Sequence, residues 1–158
     1  MSQRIKATRR GTWKLELPEE EKTVLRSLAP QLRAMLIHAT DDPDLRRLFP
    51  TAYVDDPDAD AFFKQITHDD LLASRLGKID LFEAALSSIE LDEAQLSGFM
   101  AVCNDLRLVL GTKLNISEDD DPDDYCGDPV TEQLYAIFVY LGWMVELAVD
   151  ALFGTVPD

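Results

Sequence analysis

The sequence predicts a mainly α-helical bundle with a short N-terminal β-hairpin, in one domain spanning residues 1–158. Three observations carry this reading. The apolar period changes from two to about 3.6 residues at Pro18. Asp-Pro steps recur in front of apolar-periodic segments, where aspartate caps free helix amides and proline fills the first helical position. The segment Leu134–Val145 carries no charge at all.

Taking the elements in order, Ile5 and Ala7, then Trp13, Leu15 and Leu17, alternate with polar residues around Arg10-Gly11. Alternation about a glycine turn predicts two strands over residues 3–9 and 12–17. A lone hairpin is marginal in water, so this one must pack on the helical body of residues 18–153. Pro18 followed by Glu19, Glu20 and Glu21 opens the first helix. Leu25, Leu28, Leu32 and Leu36 form its stripe to about residue 39, and Pro30 is expected to kink or split it.

The tetrapeptide Asp-Asp-Pro-Asp occurs at 41–44, 55–58 and 120–123, and Asp128-Pro129 is a shorter relative. Calcium binding by these clusters fails on spacing. Counted from Asp119, the sixth and twelfth positions hold Asp124 and Val130, where an EF-hand needs glycine and glutamate. The capping reading makes Asp42, Asp56 and Asp128 N-caps, with Asp121 opening only a turn. It predicts a short helix from Pro43 to about Phe49. A long helix follows from Pro57 through Leu86, with a break near Thr67-His68-Asp69. Another runs from Leu91-Asp92 to Gly111 with Leu96, Phe99, Cys103, Leu106 and Leu110 on one face, and the last runs from Pro129 to Phe153. The acidic stretch Ser117–Asp128 reads as a mobile loop. The last helix, apolar all round, is expected at the centre of the bundle. The competing placement sets Tyr135, Phe138, Tyr140 and Trp143 against another chain. Its charge-free run of twelve residues is too short for a bilayer and is flanked by Glu132, Glu146 and Asp150.

Charge narrows the function classes. The 158 residues hold fifteen basic and thirty acidic side chains, for a net charge of −15. Five of the bases, Arg4, Lys6, Arg9, Arg10 and Lys14, lie in the first fifteen residues, which contain no acid. The remaining body is strongly acidic, which argues against gripping nucleic acid or an anionic membrane. The basic hairpin is expected to sit on an acidic face of its own domain or of a partner. The start Met-Ser-Gln-Arg lacks a signal-peptide core, so the expected location is cytoplasmic.

No glycine-rich phosphate loop, nucleophile elbow or zinc helix is present. No cofactor is expected and no catalytic or metal-ligating set assembles; His38 and His68 lie on different segments with no second histidine at a ligand spacing. Asn104, Asp105 and Arg107 form a structural polar patch, with Glu83 or Glu146 as candidate partners for Arg107. Cys103 falls on an apolar face, where thiols are inert. Cys126 lies in the acidic loop. The loop is long enough to reach back, so a redox-switched bond between the two is one reading and a pair of inert thiols the other.

Leu45-Arg46-Arg47-Leu48-Phe49-Pro50 before an Asp-rich stretch, and Asn104-Asp105-Leu106-Arg107-Leu108-Val109-Leu110-Gly111, resemble an actinobacterial family of unknown function, DUF2017. The order of hairpin, helices and apolar final helix is similar over roughly residues 3–153. The resemblance implies a non-enzymatic regulator of stress transcription that binds a sigma factor and responds to oxidation through an intramolecular disulfide, here Cys103 with Cys126. The expected function is a cytoplasmic regulatory protein acting through a protein partner, basic in charge or a transcription factor, without membrane or direct nucleic-acid contact, and with homo-oligomerisation left open. A constitutive adaptor with inert thiols is the second reading. An enzyme is the third, and would require a polar pocket holding Asp105, Arg107 and a histidine.

Overall fold

A computed structural model of the chain describes residues 3–39, 42–48, 56–117 and 119–154. Strands β1 (Ile5–Ala7) and β2 (Trp13–Leu15) pair antiparallel, with Ile5 opposite Leu15, Lys6 opposite Lys14 and Ala7 opposite Trp13. They are shorter than the alternation suggested, because past Ala7 the chain turns through Arg9-Arg10-Gly11, where Gly11 takes a φ of 76°. The pleat sends Ile5 and Leu15 into the core and leaves Lys6 and Lys14 in water. The Trp13 amide donates to the Leu91 carbonyl at 3.0 Å and the Leu91 amide returns the bond at 2.7 Å, tying the hairpin to the connection ahead of α3.

Helix α1 (Glu19–His38) runs through Pro30 without a break. Pro30 sits on the exposed side, where solvent can take up the carbonyl left without an amide partner. Leu25, Ala29, Leu32 and Leu36 face inward. The expected helix after Asp42 shrinks to one 3₁₀ turn, Pro43–Leu45, capped by Asp42, which accepts from the Asp44 amide at 2.9 Å. Its expected end at Phe49-Pro50 lies outside the described residues, as do Asp41 and Asp55. Helix α2 (Pro57–Ser87) is continuous across Thr67-His68-Asp69 and is capped by Asp56. Helix α3 (Glu93–Lys113) starts in a reciprocal capping box of Asp92 and Gln95 and passes through Gly111, two residues beyond the expected stop. Gly111 continues the helix because it lies under a neighbour. A Cβ there would stand 3.2 Å from the Phe138 ring and 3.3 Å from the Arg47 guanidinium. A second 3₁₀ turn, Pro122–Tyr125, precedes α4 (Pro129–Phe153), whose cap Asp128 accepts from the Thr131 amide at 3.0 Å.

The bundle and hairpin are those the sequence predicts, but the central place belongs to α3 rather than α4. α3 packs against α2 on one side and α4 on the other, and touches the Pro43 turn as well. It buries eleven residues against three for α4, Leu141, Met144 and Ala148. The sequence misleads here because α4 is the more apolar helix, yet only 17% of its most apolar stretch is buried. By length and composition α4 would also suffice to cross a membrane, once the stretch is allowed to include the flanking carboxylates. In the fold it lies along α3.

α2 and α3 approach each other closely. The Phe82 and Phe99 rings stack with centroids 5.5 Å apart, both fully buried. Beside them Gly98 lets the helices approach, since a Cβ there would come within 2.6 Å of the Leu81 Cβ. Gly77 of α2 has open space around it. Gly98→Ala is therefore expected to destabilise the chain by about 1–3 kcal/mol through overpacking. Gly77→Ala is expected to stabilise it by about 0.5–1 kcal/mol through helix propensity. Urea denaturation of the two variants checks the opposite signs.

Candidate functional site

Polar groups gather at three seams of the bundle. The first joins the hairpin to α1 and α4. Arg4, just ahead of β1, donates to Glu21 of α1 at 2.9 Å and lays its guanidinium over the Trp143 ring, 5.0 Å from the centroid. Tyr140, edge-on to Trp143, turns its hydroxyl toward the same carboxylate. Neither that hydroxyl nor the second Glu21 oxygen completes a hydrogen bond of good geometry. Burial works against the Glu21 charge, but Arg4 and Tyr140 prevail and hold the carboxyl below its ordinary range. Burial and the facing carboxylate both push the Tyr140 hydroxyl up. The turn of the hairpin is tied separately, with Arg10 donating to Glu90 at 2.7 Å and the Thr12 hydroxyl at 3.1 Å. The hairpin thus meets an acidic face of its own domain, while Lys6, Arg9 and Lys14 point to solvent.

The second seam lies between α2 and α3. Asp105 is buried and accepts from Arg75 at 2.7 Å, and Arg75 also donates to the Leu48 carbonyl at 2.8 Å. One arginine thereby fastens α2, α3 and the segment after the Pro43 turn. Burial raises the Asp105 carboxyl above its ordinary range, against the opposing pull of Arg75. Arg75 and Asp105 each occupy a core position of their helix, three residues after Leu72 and Val102 and four before Ile79 and Val109. Opposite charges on the core stripes of two helices are a readable signal of an inter-helix ion pair.

The third seam is a shallow groove between α3 and α4 of about 450 Å³, lined by Arg107, Val139, Gly142, Trp143, Val145 and Glu146. Arg107 donates to Asn104 of its own helix at 2.9 Å. It does not reach Glu83, which pairs with Arg33 of α1, and its shared groove with Glu146 contains no ion pair between them. Asp105 faces α2 and Arg107 faces α4, so the structure does not bring them into one pocket. His38 is exposed at the end of α1. Among the described residues no group of three or more histidine, cysteine or acidic side chains is placed to hold a metal.

The structure separates the cysteines. Both are free; Cys103 is fully buried in α3 and Cys126 is exposed after the second 3₁₀ turn. Burial pushes the Cys103 thiol far above its ordinary range. The Cys126 thiol faces the Pro122 carbonyl at 3.6 Å. Gly111 meets Phe138 and Arg107 meets Gly142, so α3 and α4 run antiparallel and Cys103 stands level with the Glu146 turn. The start of α4 is then ~25 Å away along the helix axis at 1.5 Å per residue. A disulfide needs α-carbons within about 7 Å. Looping back would require α4 to detach.

The acidic loop folds against itself and the start of α4. Asp120 accepts from the Ser117 amide at 2.8 Å and from the Tyr125 hydroxyl. Tyr125 is buried and stacks on Tyr135 of α4, centroids 4.6 Å apart. These bonds lower the Asp120 carboxyl and push the Tyr125 hydroxyl up to about 12. The carboxylates of the loop are thereby held at the start of α4.

The arrangement defines a small four-helix protein with an N-terminal hairpin, in which polar seams fasten the elements and one apolar helix is left half uncovered. The chain belongs to the family described as Domain of unknown function (DUF2017), whose family model matches residues 2–152. No curated protein and no solved structure matches it.

Two outcomes are expected. Glu21 ionises more readily folded than unfolded, so its contribution is present at neutral pH and lost as pH falls through its lowered range. Asp105 has the opposite sign: its raised carboxyl favours the folded state in acid, and that advantage is lost as pH rises. Glu21→Gln should therefore cost about 1–2 kcal/mol at neutral pH and progressively less below about pH 4.5, whereas Asp105→Asn should cost less at neutral pH than in acid. Denaturant melts between those pH values read both slopes. In thiol trapping of the native chain, Cys126 should label quickly and Cys103 only after unfolding. Mild peroxide should not remove two mass units from the monomer.

Proposed function

We propose that this chain is a cytoplasmic regulatory protein without enzymatic activity that works by binding another protein through the outer face of α4. The observation that carries the reading is the exposure of the most apolar helix. Val139, Trp143, Val149 and Phe153 are all exposed on α4. The Cys103 and Cys126 geometry favours a constitutive binder over one triggered by a bond between them. A role in stress transcription rests on the family resemblance, and in this chain the thiol an oxidant would meet is Cys126.

Photo-crosslinking in cells that produce the protein tests the reading. A benzophenone side chain at position 139 should give an adduct with a different protein, equally in reducing and peroxide-treated cells. The adduct should disappear with Trp143→Glu. No adduct from position 139 of a folded monomer would overturn the proposal. Dependence on peroxide that Cys126→Ser abolishes would replace the constitutive form with an oxidant-sensed one.

A further inference from the structure

The exposed line of α4 has a definite pattern. Its outermost residues follow at alternating steps of four and three: Glu132, Ala136, Val139, Trp143, Glu146 and Asp150. That is the spacing of a seam that takes a second helix alongside. The centre of the seam is apolar and both ends are acidic. α4 contains no lysine or arginine, and the aspartates of the 119–124 loop are folded against its start by Tyr125 and Tyr135. The two arginines that reach this face are already engaged, Arg107 by Asn104 and Arg4 by Glu21 and Trp143.

Gly142 adds an independent observation. A glycine inside a helix costs about 1 kcal/mol relative to alanine. Gly98 and Gly111 are explained by neighbours that leave no room for a side chain. Gly142 is not: a Cβ there would meet only the Arg107 Cδ, at an ordinary 3.4 Å. With no side chain of its own, Gly142 leaves the floor of the groove beside Trp143 low, with the Arg107 side chain forming its other wall.

We infer that this seam is the docking site of a basic amphipathic helix of the partner protein, lying along α4 with an apolar residue over Gly142 beside Trp143 and with lysines or arginines at both ends. The inference rests on the protein-binding reading above and adds the chemistry of the partner. Charge complementarity selects this occupant. A second copy docked antiparallel would set Glu132 against Glu146 and Asp150 in a chain already at −15. A bilayer surface would oppose the same carboxylates with anionic headgroups.

The test uses the full chain and a fluorescent designed peptide of about 18 residues, leucines at three–four spacing and lysines at both ends, enough to span the seam at 1.5 Å per residue. Fluorescence anisotropy should show binding at least about tenfold tighter than for the same composition scrambled, or for a version with glutamate in place of lysine. Gly142→Leu and Val139→Lys should each weaken it by at least about tenfold, while Lys6→Glu on the hairpin should not weaken it. Val139 is exposed, so its variant should keep the parent's melting temperature even if Gly142→Leu does not. Equal binding of the scrambled peptide, or indifference to Val139→Lys, would overturn the inference. So would sedimentation showing a dimer that Trp143→Glu dissociates, or preferential binding to anionic phosphatidylserine vesicles. A partner crosslinked at position 139 through an acidic or non-helical segment would overturn this inference and leave the protein-binding reading standing. Failure of both peptide and crosslink would remove both.

Discussion

The rest of the structure depends on α3 being buried on two sides at once. A helix between two neighbours must be apolar over most of its circumference, and any polar group it carries inward must find its partner inside the protein. α3 meets the first demand with Leu96, Phe99, Val102, Leu106 and Val109, and the second with Asp105, which takes Arg75 from α2. The close approach to α2 rests on Gly98, and that to α4 on Gly111. Small residues at these two points set the separation of both helix pairs, so the positions of α2 and α4 follow from the surface of α3.

The polar seams act on orientation more than on net stability. A buried or half-buried ion pair contributes little over an apolar isostere, yet it is costly to break once formed. Arg75 makes one bond to Asp105 and another to the Leu48 carbonyl, so the segment after the Pro43 turn can settle in only one place on the bundle. Arg4 does the same for the hairpin, engaging Glu21 of α1 and the Trp143 ring of α4 together. A two-stranded hairpin held at one end by Arg4 and at the other by the Trp13–Leu91 bridge gains from tertiary contacts the stability it lacks alone.

With α3 in the middle, α4 packs mainly on α3, touches the hairpin and the second 3₁₀ turn, and keeps an open flank. The same carboxylates that interrupt its apolar run sit on that flank, at both ends of the exposed stripe. An uncovered apolar surface with an acidic border is kept soluble by its charges and is selective about what it meets. The folded acidic loop extends the border, because Tyr125 anchors it to Tyr135 instead of leaving it free in water.

Much of this was legible in the residues. The helical class, the hairpin, and the caps Asp42, Asp56 and Asp128 follow from local rules: side-chain period, Asp-Pro chemistry and turn residues act within a few positions of the chain. The same locality explains the misses. Pro30 and the Thr67–Asp69 stretch read as breaks because propensity is a weak prior: α1 carries Pro30 on its exposed side, and α2 runs on past Thr67. Asp105 was visible as part of a polar patch, but its partner Arg75 lies thirty residues away on another helix. Whether Cys103 and Cys126 could meet stayed open in the sequence, because a loop's length limits its reach but not its direction. Hydrophobicity by itself determined that α4 would seek apolar contact. Only the tertiary structure decided that the central place would go to α3, because centrality depends on which helix can be approached closely from two sides. Gly98 and Gly111 grant that to α3, and the charges of Glu132, Glu146 and Asp150, held in water, keep one side of α4 outside.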